Sequence, residues 1–274
     1  MSPFPLATSP SCEAIDLLDQ KRTAFYADVL TRLNNAGIEF LVGGGFAYAC
    51  YSGVERRKKD LDIFTRGRDV PGVLGLLEAA GYRTEIPFPH WLGKIHWGEY
   101  FIDVIFGSGN GVARVDDLWF RHAVRREILR RPVLLSPPEE MIWQKAFVQE
   151  RERFDGADVL HLLRALAPTL DWRRLLMRFG DHWPVLLSAI VLFDFVYPDQ
   201  RDRVPPWLTE ELLRRFSNGG REHMNHVCRG TLLSRSQYLV DLERFGYADA
   251  RARPIGSMTQ DEIGIWTAGA DDRT

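Results

Sequence analysis

Apolar residues recur at helical spacing over residues 13–35, where Ile15, Leu17, Leu18, Ala24, Phe25, Val29, Leu30 and Leu33 would share one face. Gly37 supplies the stop. The pattern then shortens. Residues 38–42 predict a buried strand, 45–51 the start of a helix ended by Gly53, and 61–65 a second strand. A helix over 70–80 closes at Gly81, and 82–86 predicts a third strand. Residues 94–97 and 100–106 read as a hairpin across Gly98-Glu99. A helix over 116–122 and a last short strand over 133–135 complete an alternating α/β unit.

The character changes after Ser136-Pro137-Pro138-Glu139-Glu140. Serine as N-cap, prolines in the first turn and acids at the positive end of the helix dipole predict a helix start. Helical spacing follows over 141–150, 157–167, 172–179, 184–196 and 208–216. From Tyr247 the chain is polar and aperiodic, and Trp266 is the one anchor expected there. The expected organisation is a flexible arm (1–12), a core (13–136), a helical region (137–246) and a poorly ordered tail (247–274). No internal repeat is apparent.

Composition narrows the classes. The 274 residues are 45% hydrophobic and 26% charged, as in a globular protein with a sizeable core. A formal net charge of −2 supplies no global basic field for nucleic acid. Cys12, Cys50 and Cys228 are widely spaced and form no CxxC pair, which points to a reducing cytoplasm. No apolar run approaching the roughly 20 residues of a membrane span is expected, and residues 1–10 do not read as a signal peptide.

The candidate chemistry lies in two short stretches. Phe40-Leu-Val-Gly-Gly-Gly-Phe-Ala ends an apolar run in glycines, and Asp60-Leu61-Asp62-Ile63-Phe64 follows. In a strand, Asp60 and Asp62 project from the same face, where their charges repel unless a cation sits between them. Asp103 stands alone among five apolar residues, Phe101 to Phe106, and needs a cation, a donor or a proton there. Were its strand beside that of Asp60 and Asp62, the three would form an oxygen cluster suited to Mg²⁺. Gly43, Gly44 and Gly45 between strand and helix would let backbone amides approach a phosphate. Arg56, Arg57, Lys58 and Lys59 directly precede the acid pair.

Gly-Gly-Phe-Ala, a short helix, a basic loop and Asp-Leu-Asp-Ile-Phe together resemble the nucleotidyltransferase superfamily with the polymerase-beta-like fold, over residues 38–106. The resemblance is to its minimal, toxin-type and antibiotic-modifying branches. It implies an α/β (α+β) core, a small mixed sheet flanked by helices, with a helical C-terminal region behind it. It implies that Gly44 and Gly45 hold a nucleoside triphosphate, that Asp60 and Asp62 ligate Mg²⁺, two ions in all, and that Asp103 completes the site and helps activate the acceptor. Two departures stand out: Gly45 where many members have serine, and Lys58 where related chains carry Thr or Ser. Lys145, set among Ile142, Trp143, Ala146 and Phe147, would reach the triphosphate as Lys59 would, with Asp155 and Asp158 orienting it or meeting the acceptor.

These features predict transfer of a nucleoside monophosphate from an NTP to an acceptor, with release of pyrophosphate. The acceptor stays open among small molecule, RNA and protein, as does the oligomeric state. The alternative is a non-catalytic member of the same fold that binds nucleotide, RNA or protein. Other signals have plainer readings. His90, Trp91, His96 and Trp97 would stack a base or pack a core; Arg125, Arg126, Arg130 and Arg131 would meet a polyanion or line a solvated strand. His223, His226 and Cys228 have zinc-like spacing, but such spacing is commoner without zinc.

Overall fold

The computed structural model describes residues 20–55, 60–218 and 226–269. The first unit runs α1 (Gln20–Asn35), β1 (Leu41–Val42), α2 (Gly44–Ser52), β2 (Leu61–Phe64), α3 (Val70–Ala79), β3 (Arg83–Phe88), β4 (Leu92–Trp97), β5 (Tyr100–Ile105), α4 (Asp117–Arg121), β6 (Val124–Ile128) and β7 (Arg131–Leu135). The strands form one seven-stranded sheet in the order β3-β4-β5-β2-β1-β7-β6. Pairs β2·β5 and β1·β7 are parallel and the others antiparallel, so the sheet is mixed.

Period-two burial organises the centre of this sheet. Leu61, Ile63, Ile95, Ile102 and Val104 are fully buried, and Asp62, Lys94 and Asp103 alternate with them onto the opposite face. A Cβ added at Gly93 would meet Leu74 of α3 at 3.6 Å, which marks the apolar face as the helix-covered one. Tyr26 of α1 donates its hydroxyl to the Phe101 carbonyl at 3.3 Å. A β6–β7 hairpin takes the place of the single last strand expected. Its turn puts Leu129 and Arg130 at φ 51 and 57, and the four arginines lie along it.

The second part is helical: α5 (Pro138–Ala146), α6 (Gly156–Leu166), α7 (Trp172–Phe179), α8 (Trp183–Val196) and α9 (Pro206–Ser217). The cap of α5 is Pro137, without a side-chain bond, so the serine cap expected from sequence is not formed. Helix α5 also ends at Ala146, short of 150, because residues 147–155 form a loop closed by a Gln149–Phe154 bridge. An ion cluster ties α5 to α7. Arg174 donates to Glu139 and, at 2.5 Å, to Glu140, while Arg178 reaches Glu140 at 3.0 Å and Asp116 at 2.7 Å. By length and composition the run Trp172–Val196 is apolar enough to span a bilayer, contrary to the sequence expectation. It is interrupted at Gly180 (φ 47), and buried Arg174 lies inside it.

The last segment holds β8 (Val227–Cys228), α10 (Leu239–Glu243), β9 (Ala248–Asp249) and α11 (Gln260–Ala268). Where aperiodicity suggested a tail, Thr259 and Glu262 form a reciprocal capping box that starts α11. Trp266 packs edge-on against Phe88 and Trp91, and Met258 and Ile263 are buried beside it. Arg235 joins this segment to the 147–155 loop through Glu150 (3.7 Å) and Glu152 (3.3 Å), with its guanidinium 4.8 Å from the Trp266 ring. Cys228 is a free thiol, and Cys12 lies outside the described residues.

Candidate active site

The glycine turn leaves β1 and opens α2. Gly43 donates its amide to the Asp62 carbonyl at 3.0 Å, and no side chain caps the helix, so no capping group occupies its first amides. Gly44 has φ 48, and a Cβ there would lie 1.6 Å from Asp62 Oδ2. Glycine is therefore required by conformation and by contact, since the backbone rests against the carboxylate. Gly45 follows as the second residue of α2. Ser136, at the end of β7, is fully buried beside Gly43, and its hydroxyl makes no hydrogen bond.

Asp62 stands directly opposite Asp103 in the parallel β2·β5 register. Burial first, then the like charges of Asp60 and Asp103, push the Asp62 carboxyl up to about 7; Lys145 and Arg153 act in the other direction. Burial also raises the Tyr26 hydroxyl, as do the charges of Asp60, Asp62 and Asp103, while Arg22 opposes them. All three acids thus share one electrostatic neighbourhood. Lys59 and the rest of the basic stretch, residues 56–59, lie outside the described residues.

The third acid already has a cation. Lys94 Nζ donates to Asp103 Oδ1 at 2.5 Å, with Lys94 23% and Asp103 16% exposed at the side chain. Sequence reading missed this lysine, although a signal existed. The turn at Gly98-Glu99 pairs Trp97 with Tyr100, and stepping outward by three residues on each strand pairs Lys94 with Asp103.

A second group comes from α5, the loop and α6. Lys145 Nζ bonds Asp155 at 2.9 Å and Asp158 at 2.8 Å, and Arg153 holds Asp155 through two 3.0 Å bonds. Against the effect of burial, the Arg153 hydrogen bond and the Lys145 and Arg153 charges hold Asp155 below the usual carboxylate range. Lys145 lies 5.9 Å from the centre of the Tyr48 ring, and Tyr48 in α2 shares a 2.7 Å hydrogen bond with His161 of α6. The helical part is thereby fixed to the helix that follows the glycine turn.

The aromatic candidates pack. Trp97 stacks on Phe25 and Tyr100, Trp91 on Phe88, and His96 pairs with Glu85 at 2.9 Å. His226 stacks flat on Tyr247, with centroids 4.5 Å apart, and His223 lies outside the described residues. Among the described residues no group of three His, Cys, Asp or Glu side chains converges to hold a metal as it stands. The donor set of Asp60, Asp62 and Asp103 nevertheless has the chemistry of a hard divalent-cation site, because Asp62 and Asp103 face each other across two strands and Asp60 adds a like charge.

A family model described as aminoglycoside-2''-adenylyltransferase matches residues 26–94. That span contains the glycine turn, Asp60, Asp62 and Lys94 and stops before Asp103. No curated protein matches the chain. Among solved structures, the chain is similar to a lincosamide antibiotic adenylyltransferase, LnuA, bound to lincomycin (16% identity, 53% of this chain and 96% of that one, TM-score 0.37). It is also similar to ANT(2'')-Ia in complex with adenylyl-2''-tobramycin (15%, 72% and 99%, TM-score 0.39). A third is an antigenic nucleotidyltransferase-like protein from Paracoccidioides brasiliensis (16%, 63% and 93%, TM-score 0.36). The family match falls on the segment that carries the glycine turn and the acid pair, and over those residues the chain is similar to the aminoglycoside-2''-adenylyltransferase family.

Proposed function

We propose that the protein transfers a nucleoside monophosphate from an NTP to a hydroxyl of a small-molecule acceptor, releasing pyrophosphate in a Mg²⁺-dependent reaction. The observation that carries this reading is the direct pairing of Asp62 with Asp103, with the Gly44 backbone packed onto Asp62. The backbone that would bind phosphate and the acids that would bind metal then belong to neighbouring central strands of the sheet. The description of the matching family favours ATP as donor and an aminoglycoside-like acceptor.

In this reading Asp60, Asp62 and Asp103 would hold Mg²⁺, which when bound supplies positive charge to the phosphate oxygens. Gly44 and Gly45 would seat the triphosphate at the start of α2. Lys145, held by Asp155 and Asp158, would face the same phosphates, as would Lys59. The acceptor oxygen bonds to the α-phosphorus while the bond to the β-phosphate oxygen breaks and pyrophosphate departs with that electron pair. The acceptor's proton passes to Asp103. Orientation and fixed charge carry most of such a reaction.

The test uses ATP labelled at the α-phosphate, Mg²⁺, and a panel of aminoglycosides beside a total small-molecule extract. The wild type is expected to label an acceptor and release pyrophosphate. Asp60→Asn with Asp62→Asn should lower that rate by about a hundredfold or more with the circular dichroism spectrum unchanged. Unchanged turnover in the variant sinks the assignment. Nucleotide binding without pyrophosphate release would instead favour a non-catalytic binding role.

A further inference from the structure

We propose that Lys94 is the resident counter-ion of the acid face: it neutralises Asp103 while no divalent cation is bound, and it sets how tightly one binds. The inference rests on the metal-dependent reading above and adds a residue to it.

Four strands place a row of charges across the sheet. Glu85 is opposite Lys94, Lys94 opposite Asp103, and Asp103 opposite Asp62. Lys94 therefore has a carboxylate on each side. Glu85 is taken up by His96 at 2.9 Å on the β3 side, and Lys94 turns the other way, to Asp103 at 2.5 Å. Its ammonium also lies 4.1 Å from the centre of the Phe101 ring, two residues before Asp103 on the same face. Carboxylate and ring together hold the charge on the Asp103 side.

The need for that charge follows from the neighbours. Asp62 is half-buried and feels both Asp60 and Asp103, so three carboxylates on one face of the sheet repel one another. A lysine is suited to relieve this reversibly, because its compact charge sits on a flexible four-carbon stem. A divalent cation arriving at the acids meets one carboxylate already neutralised and a positive charge beside it. Both effects weaken its binding, and both vanish when the charge at residue 94 is removed. The lysine thus trades metal affinity for a folded, unloaded site.

Mn²⁺ serves as the probe, titrated into the full chain and followed by electron paramagnetic resonance, with thermal melts in EDTA and in Mg²⁺ alongside. Lys94→Gln keeps a hydrogen-bond donor for Asp103 without the charge, and Lys94→Arg keeps the charge. The glutamine variant is expected to bind Mn²⁺ on the order of tenfold more tightly. It should also melt earlier in EDTA and gain more from Mg²⁺ than the wild type. The arginine variant should stay within about twofold of wild type in the same Mn²⁺ titration. Should the glutamine variant not fold, Lys94→Thr, an uncharged strand former, takes its place. Equal or weaker Mn²⁺ binding by the uncharged variant overturns the proposal, as does an arginine variant that behaves like glutamine. Such a failure leaves pyrophosphate release untouched, so it is distinguishable from failure of the transfer reaction itself.

Discussion

Replacing Asp62 by Asn should change how stability depends on pH before it changes anything else. The Asp62 carboxyl lies at about 7 in the folded protein, against an ordinary value of 3.8. Burial is the main cause, with the charges of Asp60 and Asp103 adding to it. The folded state therefore holds this proton more tightly than the unfolded chain does. Between those two values the folded state carries more protons, so unfolding free energy falls as pH rises from near 4 to near 7 and is level above. A gap of about three units at about 1.4 kcal/mol each sets a ceiling of roughly 4 kcal/mol. Neighbouring cations and shared titration bring the expected effect to roughly 2 kcal/mol or more.

Asparagine has no proton to release, so the variant should lack this slope. Urea unfolding in EDTA at intervals from pH 4.5 to 8.5, on wild type and Asp62→Asn, measures it directly. The difference between the two curves should grow in favour of the variant by roughly 2 kcal/mol or more as pH rises through 7. Parallel curves across the range would refute the reasoning, because Asp62 would then be no more reluctant to ionise than an exposed acid.

Two further changes probe the frame around the site. Gly44→Ala would put a methyl group 1.6 Å from Asp62 Oδ2 at a φ of 48. It should cost about 1–3 kcal/mol in urea unfolding, and nucleotide binding should fall with it as the carboxylate is pushed aside; a fully stable, fully binding variant would contradict the close approach. Arg174→Ala leaves Glu139 and Glu140 buried without their shared guanidinium and should cost about 3–5 kcal/mol in the same assay. A loss below 1 kcal/mol would mean that the cluster does not anchor α7 to α5.

The acid pair and the glycine turn were legible because each is a local pattern. Asp62 sits between Leu61 and Ile63, and Asp103 between Ile102 and Val104, so period two alone sends each acid to the face away from the helices. That β2 and β5 are neighbours, in parallel and without a one-residue slip, is not written in either strand. It depends on β3 and β4 lying beyond β5, which is a property of the whole sheet. The second half illustrates a different limit. Buried Arg174 and Glu140 look like surface residues in a helical repeat, and only their mutual pairing lets them lie inside. Helix α11 was hidden by its weak periodicity, with Gly264 in mid-helix, although the Thr259–Glu262 capping box marks its start.

Lys94 shows where local and global information meet. A two-residue turn fixes the register of a hairpin, so the pairing of Lys94 with Asp103 follows from locating Gly98-Glu99. The same hairpin edge then joins β2 through β5, which carries the lysine's charge to the acid pair. A reading that searched only for acids would assign Asp103 wholly to a metal. Counting the cation on the neighbouring strand changes the charge that a metal must compensate. An acid cluster in a sheet is therefore defined by its cross-strand partners as much as by its carboxylates, and the partner in this chain is one strand away from where the motif ends.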